Sequence, residues 1–292
     1  PSNFRDWLSW NFGEGIANYY MIPYNEKIWA YPLEQMETQW MQGKMPLPTK
    51  KEMIRSVLLK DPKERKMPHS SFYYPIDGGI QSMVDAIAAG LHIEYDFKIE
   101  NIEKVNNKWN INGEGAFDYV ISTIPLPVLP KVMNLPEQVV HHIQDLKYNS
   151  LTTVLFDCPK TDITWLYIPS HDYRSHRVGY QSALTPHALP NPNRGCGALE
   201  IIGKQFNVDA SFADNKNILP EELGFEKVLD SEFTEFAYVI HDLNYRKNVT
   251  SIKDYFAEDS SFQLLGRWGT WNYKNMDLCM WDAMNLVKEI LG

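Results

Sequence analysis

One apolar run limits the folds open to this chain more than any other feature of its sequence. The stretch FDYVISTIP, residues 117–125, is largely apolar until it ends in Ser122, Thr123 and Pro125. Such a run is typical of a strand buried on both faces, as in a parallel sheet covered by helices. The sequence therefore predicts one piece of an α/β layer around this strand.

The segments from SFYYPIDGG to GEGAFD predict further elements of this α/β layer, namely a helix, a strand and two hairpin turns. SFYYPIDGG leads into a helix with apolar residues on one face, at positions 80, 83, 84, 87 and 91, which stops near Gly90. HIEYDFKI, residues 92–99, alternates with the period of a strand. IEKVNNKWNI, residues 102–111, predicts a hairpin turning at Asn106 and Asn107, and GEGAFD, residues 113–118, predicts another hairpin turn.

The remaining segments predict helices near both ends of the chain and a sheet between them. Apolar residues from Phe4 to Phe12 share one helical face until Gly13 interrupts it. Between about residues 148 and 208, LTTVLF, ITWLYI, HRVGYQSA and GALEIIG are separated by turn residues and predict an antiparallel sheet. A stripe at 276, 280, 283, 287 and 290 predicts that the last helix packs on a sheet. The predicted fold class is α/β (α+β).

Composition excludes several functions. The chain of 292 residues is 44% apolar, so it can bury a large core. A formal net charge of −9 argues against a nucleic-acid partner. Three widely spaced cysteines indicate free thiols in a reducing cytoplasm, and no ligand spacing predicts a metal. No apolar run approaches a membrane span, and we expect no signal peptide.

The motif GRWGTWNYKNMD, residues 266–277, combines bare backbone with aromatic surface directly before an amphipathic helix. Gly266 and Gly269 allow another molecule to approach the backbone closely. Asn275 or Asp277 can cap the helix, whose free N–H groups favour negative charge nearby. A planar ring that becomes anionic on reduction suits this place. The alternative is an ordinary capped helix after a buried strand.

Six stretches in a fixed order resemble the flavoprotein superfamily of amine oxidases and protoporphyrinogen oxidases, and most closely its UDP-galactopyranose mutase-related branch. The resemblance covers nearly the whole chain. The stretches are FRDWLSWNFGEGIANYYMIPYNEKIWA (4–30), FYYPIDGGIQSMVDAI (72–87), DYVISTIPL (118–126), HRVGYQS (176–182), GALEI (197–201) and GRWGTWNYKNMD (266–277).

The resemblance implies FAD as the cofactor and names the residues that contact it. A helix start at Tyr74, Gly78 and Gly79 would border the cofactor domain, or be structural only. The last three residues of the C-terminal motif would face the pyrimidine edge of the ring, and Ile99 would lie near the adenine. The implied FAD contacts are Gly266, Arg267, Trp271, Tyr273, Asn275, Met276, Asp277, Ser122, Thr123, Pro125 and Ile99.

The resemblance also implies a division into domains. Residues 1–69 and 134–245 would form the substrate domain, the first part helical and the second with the antiparallel sheet. Residues 70–133 and 246–292 would form parts of one split FAD-binding domain, adjacent in one layer. Family members begin with a βαβ unit whose glycine-rich loop binds the FAD pyrophosphate, and this sequence lacks one. We therefore expect the chain to be a fragment that holds no FAD alone.

In the mutase branch, reduced FAD would attack the anomeric carbon of a UDP-hexopyranose through N5, displace UDP and release the ring-contracted sugar for cell-surface polysaccharide (LPS) synthesis. No protein residue is assigned a catalytic role. A diphosphate needs cations, and arginine suits it best. The substrate-binding candidates are Arg177, Arg174, Arg246, Tyr180, Tyr238 and Trp165, and each could instead be a surface or core residue.

Two other functions stay open at this point. An oxidase would keep FAD and the fold but act on an amine or porphyrinogen with oxygen as acceptor. A folded remnant or scaffold would have no activity. The expected partner is a UDP-sugar or another small molecule, not nucleic acid, in the cytoplasm, and homo-oligomerisation is left open.

Overall fold

The helices of the computed structural model lie mostly where apolar periodicity predicts them. The structure describes residues 1–41, 47, 49–59, 72–185, 191, 193–205, 207–215 and 226–292. The α-helices, in chain order, are α1 (Phe4–Ile16), α2 (Ile22–Trp29), α3 (Lys50–Leu59), α4 (Gly79–Ala88), α5 (Leu129–Val132), α6 (Glu137–Gln144), α7 (Gln181–Leu184), α8 (Val208–Asn215), α9 (Tyr245–Ala257), α10 (Gly266–Gly269) and α11 (Met276–Leu291).

The strands in the described ranges form three sheets. A three-stranded sheet has the order β1-β2-β3, a two-stranded sheet pairs β10 with β4, and a five-stranded sheet has the order β6-β7-β8-β5-β9. The strands are β1 (Ile102–Val105), β2 (Lys108–Ile111), β3 (Glu114–Phe117), β4 (Val120–Ser122), β5 (Lys147–Cys158), β6 (Trp165–Tyr167), β7 (Arg177–Tyr180), β8 (Gly195–Ile202), β9 (Lys227–Ile240) and β10 (Phe262–Leu264).

The chain divides into two compact units. The first unit comprises Pro1–Leu91 and Ser150–Thr234, and the second comprises His92–Asn149 and Glu235–Gly292. Two long strands, β5 and β9, begin in one unit and end in the other. This division places residues 70–91 with the first unit, whereas the resemblance implies that they belong to a cofactor domain. The functional domain boundaries stay a prediction.

The first unit is built on the predicted antiparallel sheet. β7 pairs antiparallel with β6 and β8, and β8 pairs antiparallel with β5. The apolar core of the unit lies on this sheet and includes Val154, Phe156, Val178, Leu199 and Phe212. In α1, Asn3 accepts a hydrogen bond from the Asp6 N–H at 2.9 Å, and Gly13 leaves helical geometry at φ +75°. The predicted helix start and interruption are therefore confirmed.

The second unit joins two distant stretches of chain. β10 and β4 pair in parallel, with Phe262 opposite Val120 and Leu264 opposite Ser122. The prediction that residues 70–133 and 246–292 contribute to one layer is therefore confirmed for β4 and β10. The core beneath them includes Leu126, Ile143 and Ile252, all buried.

Two local predictions in the second unit need correction. Residues 92–101 form no strand, although HIEYDFKI alternates. Ile93, Tyr95 and Phe97 are exposed, and Asp96 turns the chain at φ +58°. In GEGAFD only the start is a turn, with Asn112 and Gly113 at positive φ, and the rest is strand β3. The Asn106-Asn107 hairpin is confirmed, with φ of +50° and +64°, which suits a two-residue type I′ turn.

Candidate functional site

The candidate cofactor site of the second unit lies at the carboxyl end of the parallel strand pair. The Leu265 N–H donates to the Ser122 carbonyl at 2.9 Å, so β4 and β10 end side by side. Gly266 has φ +76°, and a Cβ on Gly269 would lie closer than 3.0 Å to the Ser122 carbonyl oxygen. The close approach predicted at Gly269 is therefore made by the chain's own β4, and Gly266 is needed for its backbone conformation.

Ser122 ends the strand with an unused polar group. Its side chain is buried, and its Oγ has no hydrogen-bond partner in the part of the chain that the structure describes. Thr123 follows it at the surface and Pro125 is half-buried. Because buried hydroxyls in proteins are usually hydrogen-bonded, this position suits a polar ligand atom at the strand end. Ile99 packs partly buried against the same unit's core.

A stack of cationic and aromatic side chains stands beside this strand end. The Arg267 guanidinium lies 4.4 Å from the centre of the Tyr273 ring, and its Nε donates to the Lys274 carbonyl at 2.9 Å. On the aromatic side, Tyr238 stacks on Tyr273 with ring centres 6.3 Å apart. The stack holds a positive charge and a flat ring in one place, which suits a planar, electron-rich ligand.

Trp271 has a different role from the one that the resemblance implies. It is fully buried, with 0% of its surface exposed, and lies in the core of the second unit. Its backbone is left-handed at φ +48°, and the Tyr245 hydroxyl donates to its carbonyl at 2.6 Å. With no exposed surface, Trp271 shapes the motif from beneath instead of touching a ligand.

Helix α11 begins where the motif predicts. Asn275 is the N-cap residue, with extended backbone, and Cys279 makes the first helical N–H bond back to its carbonyl at 3.1 Å. No side chain of the described residues caps this end, and residues 275–278 are exposed. The first N–H groups of the helix and their partial positive charge are thus open to an external acceptor. Lys274 pairs with Asp282 one turn further on.

The prediction that the α11 stripe faces a sheet is wrong. Every residue of α11 is described, and none is buried. Large apolar side chains along it are exposed, including Trp281 at 58% and Met284 at 56%, and Ile121 in β4 is also exposed. We call Met276, Leu278, Trp281, Met284, Val287 and Leu291 the exposed α11 face. An uncovered apolar surface beside this motif is what we expect of a split cofactor domain.

The substrate candidates of the first unit include a buried ion cluster. Arg177 donates to both carboxylate oxygens of Glu200 through Nη2, at 2.7 and 2.8 Å, and through Nε at 3.0 Å. His176, fully buried, lies 3.4 Å from the same carboxylate. Burial would raise the pKa of Glu200, but His176 and Arg177 outweigh it and hold the pKa below its ordinary value. Arg177 therefore serves the interior of its own unit.

The other substrate candidates differ in exposure. Arg174 is exposed and donates to Gln205 at 3.4 Å, and Arg246 is exposed on α9 in the second unit. Trp165 is partly exposed on the sheet and lies 5.3 Å from Phe72, ring centre to ring centre. Tyr180 is fully buried against Phe156, and burial raises its pKa. Arg174, Arg246 and Trp165 have surface to offer a ligand, and Tyr180 has none.

Two charged residues of the first unit are not predicted from the sequence to have a functional role. Glu200 is a charge inside the buried strand GALEIIG, and Lys27 is a charge among the aromatic residues of α2. A charge in an apolar strand or helix signals a buried partner. The partners themselves are far away in the chain. Tyr74, Gly78 and Gly79 lie at the start of α4, where Gly78 is the N-cap residue.

In the described ranges, no three His, Cys, Asp or Glu side chains are grouped as metal ligands are. None of the helices in the described ranges has the length and apolar character needed to cross a membrane.

Comparison with known proteins identifies related folds. Residues 52–177 match the family described as flavin containing amine oxidoreductase. The whole chain superposes on reduced UDP-galactopyranose mutase with a TM-score of 0.84 at 20% identity, and it covers 68% of that chain. A protein from Exiguobacterium sp. 255-15 assigned as a protoporphyrinogen oxidase superposes with a TM-score of 0.66 at 15% identity, over 91% of this chain and 62% of that one.

A third solved structure has the same fold and another activity. The CLA-producing fatty acid isomerase from P. acnes superposes with a TM-score of 0.64 at 12% identity, over 98% of this chain and 66% of that one. At such identities the likeness establishes the fold alone. The family match over residues 52–177 and the shared fold show similarity to flavin containing amine oxidoreductases.

Proposed function

We propose that this chain is the larger part of a flavoprotein that interconverts the pyranose and furanose forms of a UDP-hexose. The observation that carries the proposal is the open start of α11, next to the Arg267–Tyr273 stack and the unused Ser122 hydroxyl. The similarity in fold to UDP-galactopyranose mutase supports the choice of substrate.

The residues of the second unit fit the ring end of FAD. An uncapped helix start offers N–H donors to the carbonyl and ring nitrogen atoms at the pyrimidine edge. The Ser122 hydroxyl and the Tyr273 ring add a hydrogen-bonding group and a flat wall. The pyrophosphate needs a glycine-rich turn at a helix start, and the sequence contains none. The fit therefore covers one half of the cofactor.

The roles of the protein residues follow from this fit. When bound, a flavin supplies the redox-active ring nitrogen that such chemistry requires. Arg267 keeps a positive charge beside the ring edge, and the first turn of α11 favours negative charge there. Arg174 is the stronger candidate for the substrate diphosphate, because Arg177 is already held by Glu200 on both carboxylate oxygens. Arg246 and Trp165 stay candidates for the same substrate.

The proposal places the remaining contacts of FAD on a segment of the longer protein. The exposed α11 face and Ile121 of β4 offer an apolar surface for such a segment to cover. The chain of 292 residues alone is expected to retain no FAD. We place the protein in the cytoplasm, since buried free thiols such as Cys158 and Cys196 suit a reducing compartment. The furanose product would serve cell-surface polysaccharide (LPS) synthesis.

The first test measures flavin affinity in the full-length protein. Arg267→Ala should weaken FAD binding because it removes the positive charge beside the ring edge, and Asp277→Ala should weaken it because it removes a carboxylate that stabilises the first turn of α11. A loss of about 1–2 kcal/mol, or roughly tenfold, is expected for each. Glu289→Gln, at the exposed far end of the same helix, should change nothing. Equal affinity for all four proteins would exclude the ring-edge role.

The second test separates a mutase from an oxidase. A mutase should bind UDP-galactopyranose and form the furanose without consuming oxygen. The family match to flavin containing amine oxidoreductases favours the alternative of an amine or porphyrinogen substrate, for which oxygen uptake should follow addition of substrate. A full-length flavoprotein that binds neither kind of substrate would support a scaffold without activity.

A further inference from the structure

Lys27 makes an unusual set of contacts for a lysine. Its ammonium group donates to three main-chain carbonyls, those of Ile168 at 2.8 Å and of Ser170 and Ser175 at 2.7 Å each. The acceptors lie 141 to 148 residues further along the chain. An ammonium has three protons, so these bonds use all of its donors. Lys27 therefore has no proton left to offer a ligand.

The three carbonyls belong to one loop. Residues 168–176 connect β6 to β7, and the Ile168 N–H donates to the His176 carbonyl at 2.9 Å across the base of the loop. Ser170 adds an internal turn, since its hydroxyl bonds the Asp172 carboxylate at 2.8 Å and accepts from the Asp172 N–H. Lys27 thus sits where the carbonyls of the loop converge, as a bound cation would.

Charge strengthens this arrangement at neutral pH. Burial lowers the pKa of Lys27 to about 8, and the nearby Asp172 carboxylate opposes the shift. The ammonium is therefore charged at pH 7, and hydrogen bonds from a charged donor are about twice as strong as neutral ones. Three carbonyls facing each other without the cation would repel, because their negative ends converge on one point.

The loop carries groups that a ligand can reach. Arg174 and His171 are exposed on it, and both line an open cavity of about 350 Å³ together with Tyr173 and Gln205. At its end the loop leads through buried His176 into the Arg177–Glu200 pair. All of these residues belong to the first unit. The shape of the loop therefore determines where the Arg174 guanidinium stands.

We propose that Lys27 is a positioning residue that acts as an internal cation for loop 168–176 and so places Arg174 for binding a nucleotide diphosphate. The first half of this inference concerns the loop alone. The second half rests on the proposed function, because it takes Arg174 to bind a UDP-sugar.

The first experiment examines the loop by hydrogen–deuterium exchange in the full-length protein. Lys27→Met keeps the length of the side chain and removes the ammonium, so amides of residues 168–176 should exchange about tenfold faster or more. Amides of α9 in the second unit should be unchanged. Lys160→Met, an exposed lysine of the first unit, should leave the loop as in the wild type. Unchanged loop exchange in Lys27→Met would overturn the inference.

The second experiment is a double-mutant cycle on UDP-galactopyranose binding, with flavin content as the control. Lys27→Met and Arg174→Ala should each raise the dissociation constant about tenfold, and the double variant should lose little more than either alone. KM should rise while kcat stays near the wild-type value. Additive losses would mean that Lys27 does not act through Arg174, which would overturn the second half.

The two proposals fail in different ways. If the wild-type protein does not bind the UDP-sugar but Lys27→Met still loosens the loop, the proposed function is wrong and the role of Lys27 in the loop stands. If the wild type binds the sugar and Lys27→Met changes neither the loop nor the affinity, the role of Lys27 is wrong and the proposed function stands.

Discussion

The five-stranded sheet and the two-stranded parallel sheet differ in how far their central side chains are buried. In the five-stranded sheet, Val154, Val178 and Leu199 are fully buried, and the charged Glu200 is held by Arg177. The two-stranded parallel sheet has the exposed Ile121 in β4, and the exposed α11 face belongs to the same unit. Parallel sheets elsewhere are almost always covered on both faces.

The difference teaches where to look for ligands and partners. In the antiparallel sheet, Tyr180 is buried and the Arg177 guanidinium is bound to Glu200, so both are poor ligand candidates despite their residue types. In the described part of the chain, the unit that holds the parallel pair has a buried hydroxyl without a hydrogen-bond partner, an uncapped helix start and an exposed apolar face. Ligand binding is therefore expected at the two-stranded parallel sheet and at the loops of the five-stranded antiparallel sheet.

Removing the charge of Glu200 in the five-stranded sheet should lower the free energy of unfolding more than any other change considered. Glu200→Gln removes the carboxylate charge that pairs with the Arg177 guanidinium and lies beside the His176 ring. Breaking a buried ion pair by removing one partner costs about 3–5 kcal/mol, and the partial exposure of Arg177 places the expected loss near the lower end. Urea unfolding of the chain measures it. Glu232→Gln, exposed on β9, should change the free energy of unfolding by less than about 0.5 kcal/mol.

The pH dependence of that loss checks its cause. The pKa of Glu200 lies below its ordinary value of 4.5 in the folded protein. The carboxylate therefore contributes stability above pH 4.5, and this contribution disappears as the pH falls through the folded pKa. The difference between wild type and Glu200→Gln should be full at pH 7 and shrink below pH 4.5. A difference that is constant down to acid pH would point to lost packing instead.

A methyl group at Gly269 should have the next largest effect on the free energy of unfolding. It tests how tightly the motif packs on the two-stranded parallel sheet. Gly269→Ala would place a Cβ against the Ser122 backbone, which cannot move aside as a flexible side chain can. Overpacking of this kind costs about 1–3 kcal/mol. Gly15→Ala is the control, since a Cβ there meets nothing within 4 Å and φ is not positive. A neutral Gly269→Ala would mean that the strand end is looser than the structure has it.

A polar substitution on the exposed α11 face should have the smallest effect on the free energy of unfolding of this chain. Trp281→Gln removes an apolar side chain that is 58% exposed, so the stability of this chain should change by less than about 0.5 kcal/mol. In the full-length protein, a covered Trp281 should instead be worth about 2 kcal/mol or more. Equal small losses in both proteins would mean that nothing covers the face and that the two sheets differ less than we infer.

Much of the fold was predictable because local patterns dominate it. The Asn106-Asn107 turn is confirmed, and the apolar run to Ile121 forms the predicted strand in a parallel pair. The predicted burial of that strand on both faces is wrong, because Ile121 is exposed. The stripe along α11 predicted a helix correctly and its burial wrongly. An amphipathic pattern reports which face is to be covered, but it does not say whether the covering residues lie in the same chain.

The site was less predictable because its contacts cross long sequence distances. The Lys27 ammonium meets carbonyls more than 140 residues away, and main-chain carbonyls leave no mark in a sequence. Alternation at residues 92–99 failed for the opposite reason, since a pattern of side chains cannot supply the neighbouring strand that a strand needs. The binding of FAD and of a UDP-sugar by the residues named for them stays a prediction.

The split course of the chain has a consequence for its synthesis. Strand β4 ends at Ser122, and its partner β10 begins only at Phe262. At about 5–20 residues per second, the ribosome delivers that partner roughly 7–30 s after β4 has emerged. During this interval the strand exposes an unpaired edge and apolar residues such as Ile121 to every nascent chain nearby. The order of residues along the chain thus gives chaperones a defined interval in which to protect the second unit.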